Sequence, residues 1–329
     1  MNEVASVNSD TLTQEICTLG IDLGGSAIKY GLATKNGELL FSQIKNSHGL
    51  ISKANTLSSI YSCVEESLEY AKQNNLIVKG VGFGSPGLVN CSNGVIEGLA
   101  DNLAGWNGFN LGSELASTIK LPVFIDNDAN LSALGEVAFG DAKSKKNVIV
   151  ITIGTGIGGA ILLDGKIFRG VSYAAGEFGN VQFLTQGVNG NTSFPSWESI
   201  ASTSAMVSKF SKQLHAKCTR FPKEINGKFL FDEYKSGNPI AKEIIDENLG
   251  WMSLGISNLI HIFDPELIVI GGGISDGGSF YIDEIRSRLI KLLAHRDENN
   301  INVVAASLGN KAGILGASHY AFCQLDSNY

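Results

Sequence analysis

Two stretches of this chain read alike, and together they limit what it can fold into. "ICTLGIDLGGSAIKYGLATKNGELLFSQIK" reads as an apolar strand, a glycine turn, a strand, a hairpin and a strand. "NVIVITIGTGIGGAILLDGKIFRG" repeats that order. The hairpin signals are Lys35-Asn36-Gly37 and Asp164-Gly165, since Asn-Gly and Asp-Gly accept the left-handed backbone of tight turns. The strand residues Ile21 and Ile151 stand 130 residues apart. "VKGVGFGSPGLV" and "PELIVIGGGIS" add strands that end in glycines, and "LPVFIDNDANLSALGEVAFG" adds a strand that runs into a helix. The pattern predicts two related α/β halves, and a cleft between similar halves is a favoured place for a ligand. "TLSSIYSCVEESLEYAKQNN" predicts a helix with Ile60, Val64 and Leu68 on its apolar face.

Bulk properties narrow the class. A chain of 329 residues holds about two domains of ordinary size. With 43% hydrophobic residues it can bury a large core. Its net charge of −7 offers no basic patch for sequence-independent binding of nucleic acid. Cys17, Cys63, Cys91, Cys218 and Cys323 are scattered and form no CxxC pair, which argues against a zinc knuckle or a disulfide framework. The polar start "MNEVASVNSDTLTQE" lacks the charged-then-apolar pattern of a signal peptide, and no apolar run reaches membrane-spanning length. A soluble cytoplasmic protein is expected, with residues 1–15 as a flexible tail.

Several residues carry chemistry. Asp22 ends a strand before Gly24-Gly25-Ser26. Such a turn can form a nest for phosphate oxygens with Asp22 near Mg²⁺ through water, or Asp22 can simply satisfy turn amides. "IGTGIGG" places Gly154, Thr155 and Gly156 in a second turn and matches GxGxxG. A dinucleotide site needs a helix directly afterwards, whereas "AILLDGKIF" is a hairpin. Two phosphate-type turns opening onto hairpins suit a clamped triphosphate better. Gly271-Gly272-Gly273 can let a flat base lie on the backbone or can be a plain strand-to-helix turn.

Asp126, Asn127, Asp128 and Asn130 cluster where a strand becomes a helix. One of them caps that helix, and a spare carboxylate can take a proton from a hydroxyl. In "YAAGEFGNVQF" Glu177 can grip hydroxyls, bind a metal or cap a helix, and Asn180 follows three residues later. Glu198 is either a first-turn helix acid or a second hydroxyl ligand. Trp106 and Trp251 read as core or cleft wall. The five histidines show no metal spacing, and His261, after an apolar run, reads as a core residue. "KSKK" at 143–146 reads as a solvated loop.

Seven motifs in register resemble the ROK family of bacterial sugar kinases and sugar-responsive repressors: "DLGGSAIK", "GFGSPGLV", "DNLAGWNGF", "IDNDANLSALGE", "IGTGIGGAILLDGKIFRG", "AGEFGN" and "DPELIVIGGGIS". The resemblance runs from about Leu19 to Gly316. It implies an actin-like (ribonuclease H-like) fold, two α/β domains with an ATP cleft between them. Residues 16–135 are then the first domain and 136–310 the second, with the last helix, about 311–325, crossing back to the first.

The same resemblance implies an ATP- and Mg²⁺-dependent hexose kinase, glucokinase foremost. Asp128 matches the catalytic base and Asn127 a sugar ligand. Glu177 and Glu198 match acids that hold sugar hydroxyls. Gly84, Pro86 and Gly87 match the loop beneath the sugar, with Asn102 a further contact. Asp22 matches the Mg²⁺-associated acid. Gly24, Gly25, Ser26 and Lys29, with Gly154, Thr155 and Gly156, match the phosphate side, and Gly271 to Gly273 the nucleoside side.

One departure stands out. Many members have a histidine where this chain has Asn180, followed by a cysteine cluster that binds zinc. "LTQGVNGNTSFPSWE" holds no cysteine, so no zinc is expected and Asn180 is expected to keep a sugar contact. About sixteen polar residues precede the first strand, too few for the DNA-binding helices of the family's repressors. Kinases for N-acetylmannosamine, N-acetylglucosamine, fructose or mannose, a non-catalytic sugar sensor, and polyphosphate as donor stay open. A homodimer is expected from the family.

Overall fold

The computed structural model describes residues 14–186, 191–217, 225–274, 278–297 and 300–327. Residues 1–13 of the expected tail, and Cys218, lie outside them. Strands β1 (Glu15–Leu23), β2 (Ala27–Thr34) and β3 (Leu39–Asn46) form an antiparallel meander. After helix α1 (Lys53–Gln73), strand β4 (Leu76–Ser85) pairs parallel to β1. A small hairpin, β5 (Leu88–Asn90) and β6 (Val95–Gly98), and helix α2 (Leu111–Thr118) precede β7 (Val123–Asn127), which pairs parallel to β4. The sheet order is β3-β2-β1-β4-β7.

Helix α3 (Asp128–Phe139) leads to the second sheet. There β8 (Val148–Ile153), β9 (Ile157–Leu163) and β10 (Lys166–Ile167) form the meander, and β13 (Leu267–Gly271) and β14 (Val303–Ala305) pair parallel. Its order is β10-β9-β8-β13-β14, the first sheet's order again. Asp164 at φ 51° and Gly165 at φ 75° make the two-residue turn between β9 and β10, the left-handed pair their sequence favours. Between β10 and β13 lie the short hairpin β11 (Thr185–Gln186) and β12 (Thr192–Ser193), then α4 (Trp197–Ala201), α5 (Thr203–Lys217), α6 (Gly227–Lys235) and α7 (Pro239–Phe263). Helix α8 (Ser279–Leu292) precedes β14, and α9 (Ala312–Ser327) ends the described chain.

Each sheet has its own core. Leu19, Ile21, Phe83 and Trp106 are buried in the first, and Ile151, Ile270, Phe210 and Trp197 in the second. Strand β8 is buried on both faces, since Ile149, Ile151 and Ile153 pack into one cluster and Val148 and Val150 into another, as a strand covered on both sides requires. Helix α9 lies directly on the first sheet. A methyl group on Gly20 would collide with the carbonyl of Ile314, and one on Gly82 with that of Ala317. Thr18 Oγ1 donates to the carbonyl of Ser318 at 2.9 Å.

Two sequence expectations need correction. In α1 the buried positions are Thr56, Ser59, Ile60, Cys63, Val64, Ser67 and Ala71, while Leu68 is 37% exposed. Steps of four residues drift about 40° each around a 3.6-residue helix, so a third member leaves the stripe. His261 is not a core residue. It is exposed near the end of α7 and stacks on His295, ring centroids 5.1 Å apart. Trp106 is fully buried, Trp251 packs partly buried against the second core, and residues 143–146 are exposed.

Candidate active site

The parallel strands of both sheets end at one cleft of about 740 Å³, the edge where open α/β sheets bind ligands. At the first sheet β7 runs into α3. Asn127 is the N-cap: its Oδ1 accepts from the N–H groups of Ala129 (2.9 Å) and Asn130 (3.1 Å). Its Nδ2 donates to the carbonyl of Gly87 at 3.0 Å, which ties the cap to the loop after β4. Asp128 then begins the helix, half-buried in the cleft. Its Oδ1 accepts from Ala129 N–H at 2.9 Å. Burial pushes its carboxyl up to about 7, with the charges of Asp22 and Glu177 adding to the rise and the Ala129 N–H opposing it.

Asp22 sits opposite Lys29 in the β1–β2 register, and Lys29 Nζ lies 3.4 Å from Asp22 Oδ2. Burial raises the Asp22 carboxyl, and Lys29 offsets part of that. Gly24 N–H donates to Ala27 at 2.8 Å, closing the first glycine turn. The equivalent turn of the second sheet is closed by Gly154 N–H donating to Gly156 at 2.9 Å.

The second sheet supplies the other carboxylates. Glu177 precedes a 3₁₀ turn, Phe178–Asn180, and makes no capping hydrogen bond. It therefore caps nothing; Asn180 Nδ2 donates to its Oε2 at 3.4 Å. Burial raises the Glu177 carboxyl, and nearby Glu198 adds to it. Glu198 lies in the first turn of α4, yet its Oε2 accepts from Ile157 N–H at 2.9 Å. A methyl group on Gly156 would collide with that carboxylate. Glu198 thus props the second glycine turn, more than a dipole-matching acid would do. Between Glu177 and Glu198 the chain is zipped: Trp197 N–H donates to Val181 (2.7 Å), Phe183 N–H to Pro195 (2.9 Å), and Thr185 pairs with Ser193. Phe183 packs on Trp197 and Trp251. Among the described residues no group of three or more His, Cys, Asp or Glu could hold a metal ion.

The cleft brings together most of the residues singled out in the sequence. Asp22, Gly24 and Lys29 line it with Gly154, Thr155 and Gly156; Pro86, Gly87, Asn102, Asn127 and Asp128 line it with Glu177, Asn180 and Glu198. Gly272 joins it to an adjoining cavity of about 410 Å³ lined by Gly271 and Gly273. Three residues fall outside the lining. Gly84 packs against the Asp128 backbone, Gly25 packs behind Asn102, and the carbonyl of Ser26 accepts from Ser47 N–H.

Sequence reasoning passed over four residues. Thr152 lines the cleft at the position equivalent to Asp22, and the 130-residue spacing pointed to it. Asp101 lines it beside Asn102 with no signal of its own. Glu136, buried in α3, accepts from Leu308 N–H at 2.9 Å beside the adjoining cavity. Arg169 pairs with Asp126.

Comparison with known proteins agrees with this geometry. A model of the ROK family matches residues 18–322. The chain is 33% identical over 316 residues to a glucokinase of Streptomyces coelicolor, covering 92% of this chain and 97% of that protein. It is 30% identical over 308 residues to a glucokinase of Thermotoga maritima, covering 91% and 95%. A crystal structure of a ROK family glucokinase from Streptomyces griseus, in complex with glucose and AMPPNP, matches at a TM-score of 0.79 and 29% identity, covering 93% of this chain and 99% of that one. With its paired sheets of one order and the cleft between them, the fold is the actin-like ATPase fold. The chain belongs to the ROK family.

Proposed function

We propose that this chain is an ATP- and Mg²⁺-dependent hexose kinase that transfers the γ-phosphoryl group of ATP to the 6-hydroxyl of glucose in the cytoplasm. One observation carries the reading: Asp128, a carboxylate with its proton affinity raised toward neutrality, faces the same cleft as two glycine turns from opposite sheets. The likeness to glucokinases over nearly the whole chain supports the choice of sugar.

The donors fit a metal–nucleotide. Mg²⁺ is usually held by one or two carboxylates with the remaining positions filled by water and phosphate, and Asp22 is a single cleft carboxylate beside the first turn. When bound with ATP, Mg²⁺ neutralises phosphate charge. Lys29 and the two glycine turns, Gly24 to Ser26 and Gly154 to Gly156, serve the phosphates, the turns through N–H groups other than those of Gly24 and Gly154, which close them. Gly271 to Gly273 face the nucleoside.

The sugar is held by the atoms that the fold leaves over. Glu198 Oε2 is taken by Ile157, so its Oε1 serves a hydroxyl. Asn127 uses its oxygen and one N–H, so its second N–H serves another. Glu177, Asn180, Asn102 and the loop from Gly84 to Gly87 complete the grip. The carboxylate of Asp128 takes the hydroxyl proton as the oxygen attacks phosphorus in line and ADP departs. Residues 16–135 with the helix at 311–325 form one domain and 136–310 the other, and their closure excludes water.

A coupled assay of ADP release over glucose, mannose, fructose, N-acetylglucosamine and N-acetylmannosamine tests this, with polyphosphate in place of ATP as a separate arm. The highest kcat/KM is expected for glucose with ATP. Sugar binding without turnover of any hexose would instead favour a sensor.

A further inference from the structure

We propose that Arg169 is a positioning residue that ties the strand end carrying Asp128 to the loop that delivers Glu177. The inference rests on the kinase reading above and names a residue through which that site is held in register.

Asp126 stands two residues before Asp128 and is fully buried. Both of its oxygens are committed. Oδ1 accepts from the N–H of Asn127 at 2.7 Å and from Asn130 Nδ2 at 3.1 Å. Oδ2 accepts from Arg169 Nε at 3.0 Å and from Arg169 Nη2. The carboxylate thus fixes the backbone of the N-cap on one side and a guanidinium of the second sheet on the other.

Arg169 follows β10, and its main chain does a second job. Its carbonyl accepts from Ala175 N–H at 3.1 Å, closing the loop two residues before Glu177. Inside that loop Tyr173, held at φ 59°, brings its hydroxyl to 3.2 Å from Ser92 Oγ of the first half. The guanidinium also lies over the ring of Tyr320 in α9, 5.9 Å from its centroid. One side chain therefore touches β7 and α9 while its backbone shapes the approach to Glu177. Among the described ion pairs, this one joins the two sheets through a fully buried acid, with the Asp126 side chain 1% exposed.

Two charge-assisted hydrogen bonds from one guanidinium onto a single oxygen of a buried carboxylate resist sliding. The sugar must be gripped by Glu177 and deprotonated by Asp128 at once, and the two acids come from different sheets. A misplacement of about 1 Å between them would cost roughly 100-fold in rate.

The test is steady-state kinetics of Arg169→Lys and of the double variant Asp126→Asn/Arg169→Gln. Each uses the hexose that the unaltered protein turns over best, with melting temperature measured alongside. Lysine keeps the charge against Asp126 but loses the paired N–H donors; the double variant removes both charges of the pair. For each variant that folds, kcat is expected to fall about 10- to 100-fold and the sugar KM to rise, while the KM for ATP stays within about threefold. Sugar kinetics within about twofold of the unaltered protein in either variant would overturn the inference. So would equal rises in both KM values, or a loss in proportion to the melting temperature, since general damage gives that pattern. An unaltered protein with no turnover on any hexose would remove the kinase reading and this inference together.

Discussion

The two sheets share one strand order but meet the cleft with different chemistry. The first brings charge: Asp22 with Lys29 at its glycine turn, and Asp128 at the head of α3. The second brings backbone and hydroxyls to its turn, with Thr152 where the first has Asp22. Their supports differ as well. The second turn is held by elements of its own half, through Glu198 on Ile157 and through Thr203 N–H on the carbonyl of Gly154 at 3.0 Å. The first is backed by α9 from the far end of the chain, where Gly313 packs against the Asp22 carboxylate. The duplicated scaffold thus has an Asp–Lys pair at one glycine turn and a threonine at the equivalent place of the other, a difference that under the proposed function is a division of work.

The largest effect should come from removing the charge that has no counterpart. Asp128→Asn is expected to lower kcat about a thousandfold with sugar binding largely kept, read by steady-state kinetics and calorimetry. It should also move stability in the opposite sense. The native carboxyl, raised to about 7 from 3.8, holds its proton where the unfolded chain has released it. It therefore weakens the fold progressively as pH rises from about 4 to 7. The variant's melting temperature, relative to the unaltered protein, should be higher at pH 8 than at pH 4. For the same reason kcat/KM for the sugar should fall as pH drops below about 7, a limb that belongs to the coupled acids as a group.

Making the turns alike is the next test. Asp22→Thr copies Thr152 into the first sheet and should raise the KM for Mg-ATP roughly 10- to 100-fold. Because the Asp22 charge helps to raise Asp128, the acid limb should also shift to lower pH. An unchanged limb would show that burial and the Glu177 charge set the Asp128 carboxyl without Asp22.

The duplicated architecture and most of the cleft were legible because strand–turn chemistry is local. Glycine turns, the Asp164-Gly165 hairpin and the strand-to-helix switch at Asn127 each advertise themselves within a few residues. Contacts across the chain were not. Arg169 and Asp126 are 43 residues apart, and nothing local distinguishes "FRG" from a solvated loop. The demand for glycine at 20 and 82 is set by α9, nearly 300 residues away from β1. His261 misled because an apolar run shows where a helix is buried but not where along it the cover stops. The ladder between Val181 and Trp197 was hidden for a related reason: "TQ" and "TS" are too short to read as strands, and their pairing is held by packing of Phe183 on two tryptophans.

The support from α9 can be weakened without touching the cleft lining. A methyl at Gly313 would stand 2.5 Å from Asp22 Cγ, so the carboxylate must give way. Gly313→Ala is expected to raise the KM for Mg-ATP about tenfold, with the sugar KM unchanged, as befits a displaced carboxylate rather than a lost one. Equal losses for both substrates would mean that α9 supports the first sheet as a whole and not its turn.

The smallest effect should come from Asn180. It is exposed, and its one described side-chain bond, at 3.4 Å to Glu177, is long for a hydrogen bond. A neutral contact of this kind contributes about 1 kcal/mol. Asn180→Ala should therefore raise the sugar KM about fivefold and leave kcat nearly unchanged. The amide is a poor zinc ligand, while the segment beyond it is closed by the ladder and by the Phe183, Trp197 and Trp251 cluster. Purified protein is accordingly expected to carry no stoichiometric zinc, and chelation followed by restored Mg²⁺ should return full activity. If zinc is found, or if chelation lowers activity irreversibly, then a metal and not the aromatic cluster sets the spacing between Glu177 and Glu198. Asn180→Ala would then perturb kcat as well as KM.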